Sequence, residues 1–164
     1  MRTKWIYILF SLLSMMSCMT ISNFKESIEI NAPAAIVFQI ITDYESYDEL
    51  LPTLHDQIQI VSENHEGLGV SWKSTGSFKG YKFTTTWTVI EYVKDRLVTM
   101  KDLKESIGST TLQTESITNE RTLYTMQIST KMFQPYENDF FQIYRDEMQR
   151  IKIESEKRYQ ASNN

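Results

Sequence analysis

The sequence predicts an α+β domain in which a curved antiparallel sheet is covered by one long C-terminal helix. Three observations predict it. Between Ile58 and Met132, β-branched and aromatic residues are dense and only short turns interrupt them, the signature of an antiparallel meander. From Lys79 onward the chain alternates: Tyr81, Phe83, Trp87 and Val89 fall on one face, and Lys82, Thr84, Thr86 and Thr88 on the other. Period two sends alternate residues to opposite sides, so one face is buried and one meets water. Finally, Tyr136, Phe140, Tyr144, Met148 and Ile151 recur at helical spacing. That stripe suits a helix laid on the apolar face of the sheet.

Each element can be justified in order. Phe24 to Ile30 ends as a strand. Asn31-Ala32-Pro33 punctuates, and proline suits the first turn of a helix because its missing N–H would be unpaired there. Ile36, Val37, Ile40 and Ile41 then give an amphipathic helix. A second short helix or turn around Tyr47 to Leu51 stops at Pro52. Six strands follow: Ile58 to Val61, Gly69 to Ser74, Tyr81 to Tyr92, Arg96 to Leu103, Ser109 to Ile117 and Leu123 to Lys131. Glu66-Gly67, Lys79-Gly80, Lys94-Asp95, Ile107-Gly108 and Asn119-Glu120 supply the turns. The closing helix starts near Pro135, with Glu137 and Asp139 at its positive end and Lys157 and Arg158 at its negative end. Residues 160–164 are expected to be a disordered tail.

The N-terminus reads differently. Arg2 and Lys4 precede an apolar run from Trp5 to Leu13 that is shorter than the about 20 residues a membrane span needs. This is the form of a secretory signal peptide. Leu13-Ser14-Met15-Met16-Ser17-Cys18 resembles a bacterial lipobox, with small Ser17 before the chain's single cysteine. Met15 and Met16 depart from its usual aliphatic-then-small pattern. The resemblance implies a lipidated Cys18, membrane attachment and a place in the cell envelope, since several acyl chains anchor where one does not. Four segments are therefore expected: a signal peptide 1–17, a lipidated cysteine and short tether 18–23, a folded domain 24–159 and the tail.

Charge and composition narrow the function. The 164-residue chain carries a formal charge of −4; without Arg2 and Lys4, 15 bases face 21 acids, or −6. An acidic domain of this kind lacks the basic face that nucleic acid requires. One cysteine and two histidines make a poor metal-ligand set, and no metal or cofactor is expected. His55 and His65 lie in or beside turns and read as surface residues. Asp43, Glu45, Asp48 and Glu49 look like paired carboxylates, yet they sit on a polar helix end and read as solvated. No phosphate-binding loop, nucleophile elbow or nucleotide fingerprint is present.

The order of elements resembles the helix-grip fold, and particular segments resemble the START-like superfamily in its polyketide cyclase/dehydrase branch. Asn31-Ala32-Pro33-Ala34-Ala35-Ile36-Val37-Phe38 matches its Ala-Pro-led helix, and Thr42-Asp43-Tyr44 through Leu51-Pro52 its aromatic-to-proline segment. Gly67-Leu68-Gly69-Val70-Ser71-Trp72 and Trp87-Thr88-Val89-Ile90-Glu91 match two of its strands. The resemblance covers about residues 25–158 and implies a cavity between sheet and long helix for an apolar ligand. It implies no catalytic residue. Val70, Trp72, Tyr81, Phe83, Trp87, Tyr124, Met126, Ile128, Tyr144 and Met148 are the expected lining; the same residues would equally suit a packed core. Tyr and Met favour a pocket, one by its polar end and the other by its adaptable shape. The expected function is membrane-anchored binding or transport of a lipid or other hydrophobic molecule. A protein-interaction module of the envelope and a cyclase- or hydratase-type enzyme are the alternatives.

Overall fold

The computed structural model describes residues 19–50, 52, 54–103 and 108–163. The expected signal peptide and Cys18 lie outside them. Strand β1 (Met19–Ile30) leads to helix α1 (Ala34–Ile41), a short 3-10 turn and helix α2 (Tyr47–Leu50). Strands β2 (Gln57–Ile60), β3 (Ser71–Phe78), β4 (Tyr81–Val93), β5 (Leu97–Asp102), β6 (Gly108–Thr118) and β7 (Arg121–Phe133) follow. A second 3-10 turn leads into α3 (Glu137–Ser162). The strands form one antiparallel sheet in the order β1-β7-β6-β5-β4-β3-β2. This is the helix-grip arrangement.

Local chemistry explains the meander. Lys79 and Gly80 both have positive φ, 50° and 83°, which is the two-residue turn whose twist matches a right-handed hairpin. It lets Phe78 pair directly with Tyr81. In β4 the ladder slips between Val89 and Glu91. That bulge leaves Ile90 exposed on the outer face and swings Tyr92 inward against Phe38, ring centroids 5.5 Å apart.

α3 buries Phe141, Met148 and Ile151, while α1 buries Val37, Phe38, Ile40 and Ile41. Together with Phe24, Ile30, Trp72, Val89, Val98, Leu112, Tyr124, Met126 and Ile128 these make a single apolar cluster. Each fully buried side chain of this size stabilises the fold by about 1.5–3 kcal/mol.

Three boundaries differ from expectation. Met19 to Asn23, expected as a tether, are paired strand, with Met19 opposite Phe133 and Asn23 opposite Ser129. The partner is the far end of β7, which runs longer than its apolar segment suggests. Thr20 and Ser22 put polar side chains on the inner face beside Phe24 while Met19 and Ile21 are exposed, so the segment lacks the alternation by which a strand is recognised. The expected tail is likewise helix as far as Ser162. β3 begins at Ser71 rather than Gly69, because Gly67 and Gly69 have positive φ and form the preceding loop.

Candidate functional site

The space between α3 and the concave face of the sheet is closed at one end and open at the other. At the closed end the ring of Tyr44 stacks on Trp72, centroids 4.3 Å apart and planes 13° from parallel. Tyr47 meets Trp72 edge-on and donates its hydroxyl to the Ile41 carbonyl. Tyr124 and Met148 are sealed beneath the helix. At the open end lies a cavity of about 310 Å³, at the lower limit for ligand pockets.

Its walls come from both edges of the sheet's open end and from the start of α3. β4 supplies Tyr81, Phe83, Thr85 and Trp87, and the end of β7 supplies Ile128 to Phe133. Phe78, Tyr136, Phe140 and Tyr144 roof it in a chain of edge-on aromatic contacts: Phe78 to Phe140 at 5.2 Å and Phe140 to Tyr144 at 5.1 Å. Met19 of β1 and Gly108 and Ser109 of β6 add to the wall, and the loop before β2 completes it with Leu54 and His55. That loop can press against β3 only because residue 76 is glycine; a Cβ there would stand 2.0 Å from the Leu54 carbonyl oxygen.

Of the ten residues expected to line the pocket, Tyr81, Phe83, Trp87, Ile128 and Tyr144 do so. Val70, Trp72, Tyr124, Met126 and Met148 are instead buried in the closed core, none more than 3 % exposed. The first four share the inner face of the sheet and Met148 faces them from α3, where α1, α2 and the middle of α3 fill the space. Phe78 and Met132 line the cavity without having been anticipated. The alternation that picks out Trp72 and Ile128 would have reached them if carried to the strand ends.

Two titratable groups depart from the sequence reading: His55 was expected on the surface, and Glu147 was not singled out. His55 faces the cavity rather than the surface. Its Nδ1 is 2.7 Å from Ser74 Oγ, and burial lowers its pKa to about 4 against the opposing pull of Asp48 and Asp56. Glu147 is 2 % exposed on the inner side of α3. Burial raises its carboxyl pKa to about 8, with Arg150 opposing and Asp146 reinforcing. Its Oε1 and the Tyr124 hydroxyl have no hydrogen-bond partner among the described residues. The carboxyl acts electrostatically on the hydroxyls of Tyr47, Tyr124 and Tyr144, raising all three behind the larger effect of burial. The signal was positional: Glu147 stands three residues after Tyr144 and four before Ile151, inside the apolar stripe. His65, by contrast, is on the surface as expected, 2.7 Å from Glu45. These two line a separate, polar cleft of about 870 Å³ with Asp43, Glu66 and Asp95.

Among the described residues no group of three His, Cys, Asp or Glu side chains could hold a metal ion. None of their helices is long and apolar enough to cross a membrane.

A helix-grip sheet with an apolar cavity under its long helix defines the class of the START-like and Bet v 1-like proteins. Within that class the chain belongs to the polyketide cyclase / dehydrase and lipid transport family, whose model matches residues 22–156. No curated protein sequence matches it significantly. The fold is similar to that of a START superfamily protein from Mycobacterium smegmatis, with TM-score 0.64 and 11 % identity over 85 % of this chain and 97 % of that one. It is also similar to ginseng major latex-like protein 151 from Panax ginseng, with TM-score 0.65 and 11 % identity over 82 % and 97 %. Norcoclaurine synthase from Thalictrum flavum, solved with dopamine and hydroxybenzaldehyde, gives TM-score 0.60 and 10 % identity over 84 % and 90 %.

Proposed function

We propose that this protein binds a lipid or other hydrophobic small molecule in the cavity under α3, and does so at a membrane of the cell envelope, anchored through an acylated Cys18. The observation that supports binding is the apolar, aromatic-roofed cavity of about 310 Å³. The cavity is open at one end and leaves aromatic side chains facing water, so an apolar ligand that covers them gains about 25 cal/mol per Å² of apolar surface buried. Such a space is more stable filled. The family to which the chain belongs includes lipid-transport proteins by its description.

The test is to purify the full chain from membranes and exchange it out of detergent. Organic-solvent extracts are then compared by mass spectrometry with a mock purification. A near-stoichiometric apolar compound is expected; a repeated blank after incubation with envelope lipids would overturn the reading. Replacing Cys18→Ala should release the protein from the membrane fraction, and retention there would count against the anchor.

A second reading is a cyclase- or hydratase-type enzyme, and one observation favours it. Glu147 is a carboxyl whose pKa stands near neutrality, electrostatically coupled to the cavity-lining Tyr144. Groups tuned in this way serve as general acids. Glu147 does not itself line the cavity, so in this reading its carboxyl acts on a ligand through Tyr144, whose hydroxyl it influences electrostatically. If Glu147→Gln leaves turnover of the co-purified compound's candidate precursors unchanged, this reading loses its support.

A further inference from the structure

We infer that the ligand of the cavity carries a neutral hydroxyl group, as an alcohol or a phenol does and a fatty acid does not, and that this group is held at the inner end by Thr85 and His55. This rests on the proposed binding of a hydrophobic molecule under α3 and names the chemical class of that molecule.

The inner face of the sheet is not uniformly apolar here. Period two brings Trp72, Ser74, Gly76 and Phe78 of β3 and Phe83, Thr85 and Trp87 of β4 to that face. Ser74 and Thr85 stand opposite each other in the ladder, so two hydroxyls interrupt a set of rings and one glycine. Thr85 lies four residues in from Tyr81, about 13 Å along the strand at roughly 3.3 Å per residue. Just beyond it Trp87 pairs with the buried Trp72, where the closed core begins.

The two hydroxyls differ in what they bond. Ser74 Oγ is 2.7 Å from His55 Nδ1. Thr85 borders the cavity, and of the residues that do so it alone has a buried side-chain polar atom, Oγ1, with no partner among the described residues. Buried hydroxyls are rarely left unpaired. One staggered step in χ1 exchanges the hydroxyl and the methyl of a threonine, and so presents the hydroxyl to a ligand.

His55 supplies the second contact. It lines the cavity with Nδ1 taken by Ser74, and its Nε2 makes no hydrogen bond to the described residues. Burial keeps the ring neutral, so Nε2 donates in one tautomer and accepts in the other. A ligand hydroxyl can both give and accept, and therefore satisfies Thr85 and either tautomer of His55. A carboxylate finds no such match. Among the described residues the one Lys or Arg bordering the cavity is Lys131, exposed near the end of β7 opposite Ile21. No Asp or Glu borders it, so an amine fares no better, because a charge buried at the inner end would have no counter-charge.

The test uses the full chain, isolated from membranes, stripped of detergent and of co-purified apolar material, and loaded with the neutral fluorophore phenylnaphthylamine. Decanol, decane and decanoate are titrated in as competitors at neutral pH. Thr85→Val keeps the shape and removes a hydroxyl the fold does not use. It should weaken decanol by roughly three- to tenfold, the range of one hydrogen bond, and leave decane unchanged. Thr85→Ser should hold decanol near its original affinity, and His55→Phe should weaken decanol relative to decane. Decanoate should bind more weakly than decanol, a comparison that needs no variant. Equal losses of decanol and decane in Thr85→Val, decanol untouched in either variant, or decanoate binding more tightly than decanol would each overturn the assignment while leaving the cavity a ligand site. If neither the fluorophore nor any competitor binds the unaltered chain, the binding reading itself falls and takes this assignment with it.

Discussion

The two ends of the space beneath α3 are built from the same strands and the same kind of residue, yet one is core and the other is cavity. Trp72 and Phe78 lie on one face of β3, six residues apart. Trp72 is 1 % exposed under the ring of Tyr44, whereas Phe78 looks into open space. The difference is made by what lies above. α1, the 3-10 turn and α2 deliver Phe38, Tyr44 and Tyr47 to the closed end. At the open end the cover is the first turns of α3 and a loop held down at Gly76. Inner-face alternation thus makes a residue eligible for a pocket, and the helices decide which eligible residues line one.

This contrast can be broken most forcefully at Trp72. Trp72→Ala should cost about 3–5 kcal/mol in urea unfolding, because the stack above it cannot collapse onto the gap. Trp87→Ala, at the cavity wall, should weaken ligand retention by more than it weakens folding; equal losses would make Trp87 an ordinary core residue. Gly76→Ala should come next. Its Cβ has no room beside the Leu54 carbonyl, so about 1–3 kcal/mol is expected from overpacking. The loop should shift and free His55, whose pKa, followed by NMR, should climb from about 4 toward its ordinary value. An unmoved titration would show that the loop is held elsewhere.

Glu147 gives a pH signature. Its pKa is higher in the folded protein, about 8 against a usual 4.5, so the folded state keeps a proton that the unfolded chain releases. The corresponding stability is fully present below about pH 4.5 and is lost as pH rises toward 8. His55 works in the opposite direction: its depressed pKa contributes stability that is present above about pH 6.5 and lost as pH falls toward 4. Above about pH 7.5 His55 is neutral in both states and of the two groups Glu147 alone acts, so stability should fall with pH there by at most about 1.4 kcal/mol per pH unit. Glu147→Gln should flatten that decline; a variant with the same slope would assign it to other groups. The smallest effect is expected at the mouth. Tyr81→Ser should change stability by no more than about 0.5 kcal/mol, since the side chain is largely exposed.

The sheet and the covering helix were legible because alternation, turn residues and the α3 stripe all specify the same arrangement. Met19 to Asn23 were not, because pairing depends on what β7 offers opposite them rather than on their own hydrophobicity. Half of the lining was misplaced for the reason given by Trp72 and Phe78: a one-dimensional pattern separates faces but not positions along a face. His55 was hidden because its burial comes from Gly76, twenty-one residues further along the chain. Glu147 was readable in principle, as an acid inside an apolar stripe.

The β1–β7 ladder also has a mechanical consequence. All twelve residues of β1 are paired with β7, and a chain held at Cys18 would be pulled from the first of them along the strand. A load in that direction shears the ladder, so its bonds resist together instead of parting one after another. Force spectroscopy should find a higher rupture force when the protein is pulled from the N-terminus along β1 than when β1 is peeled sideways from Asn31.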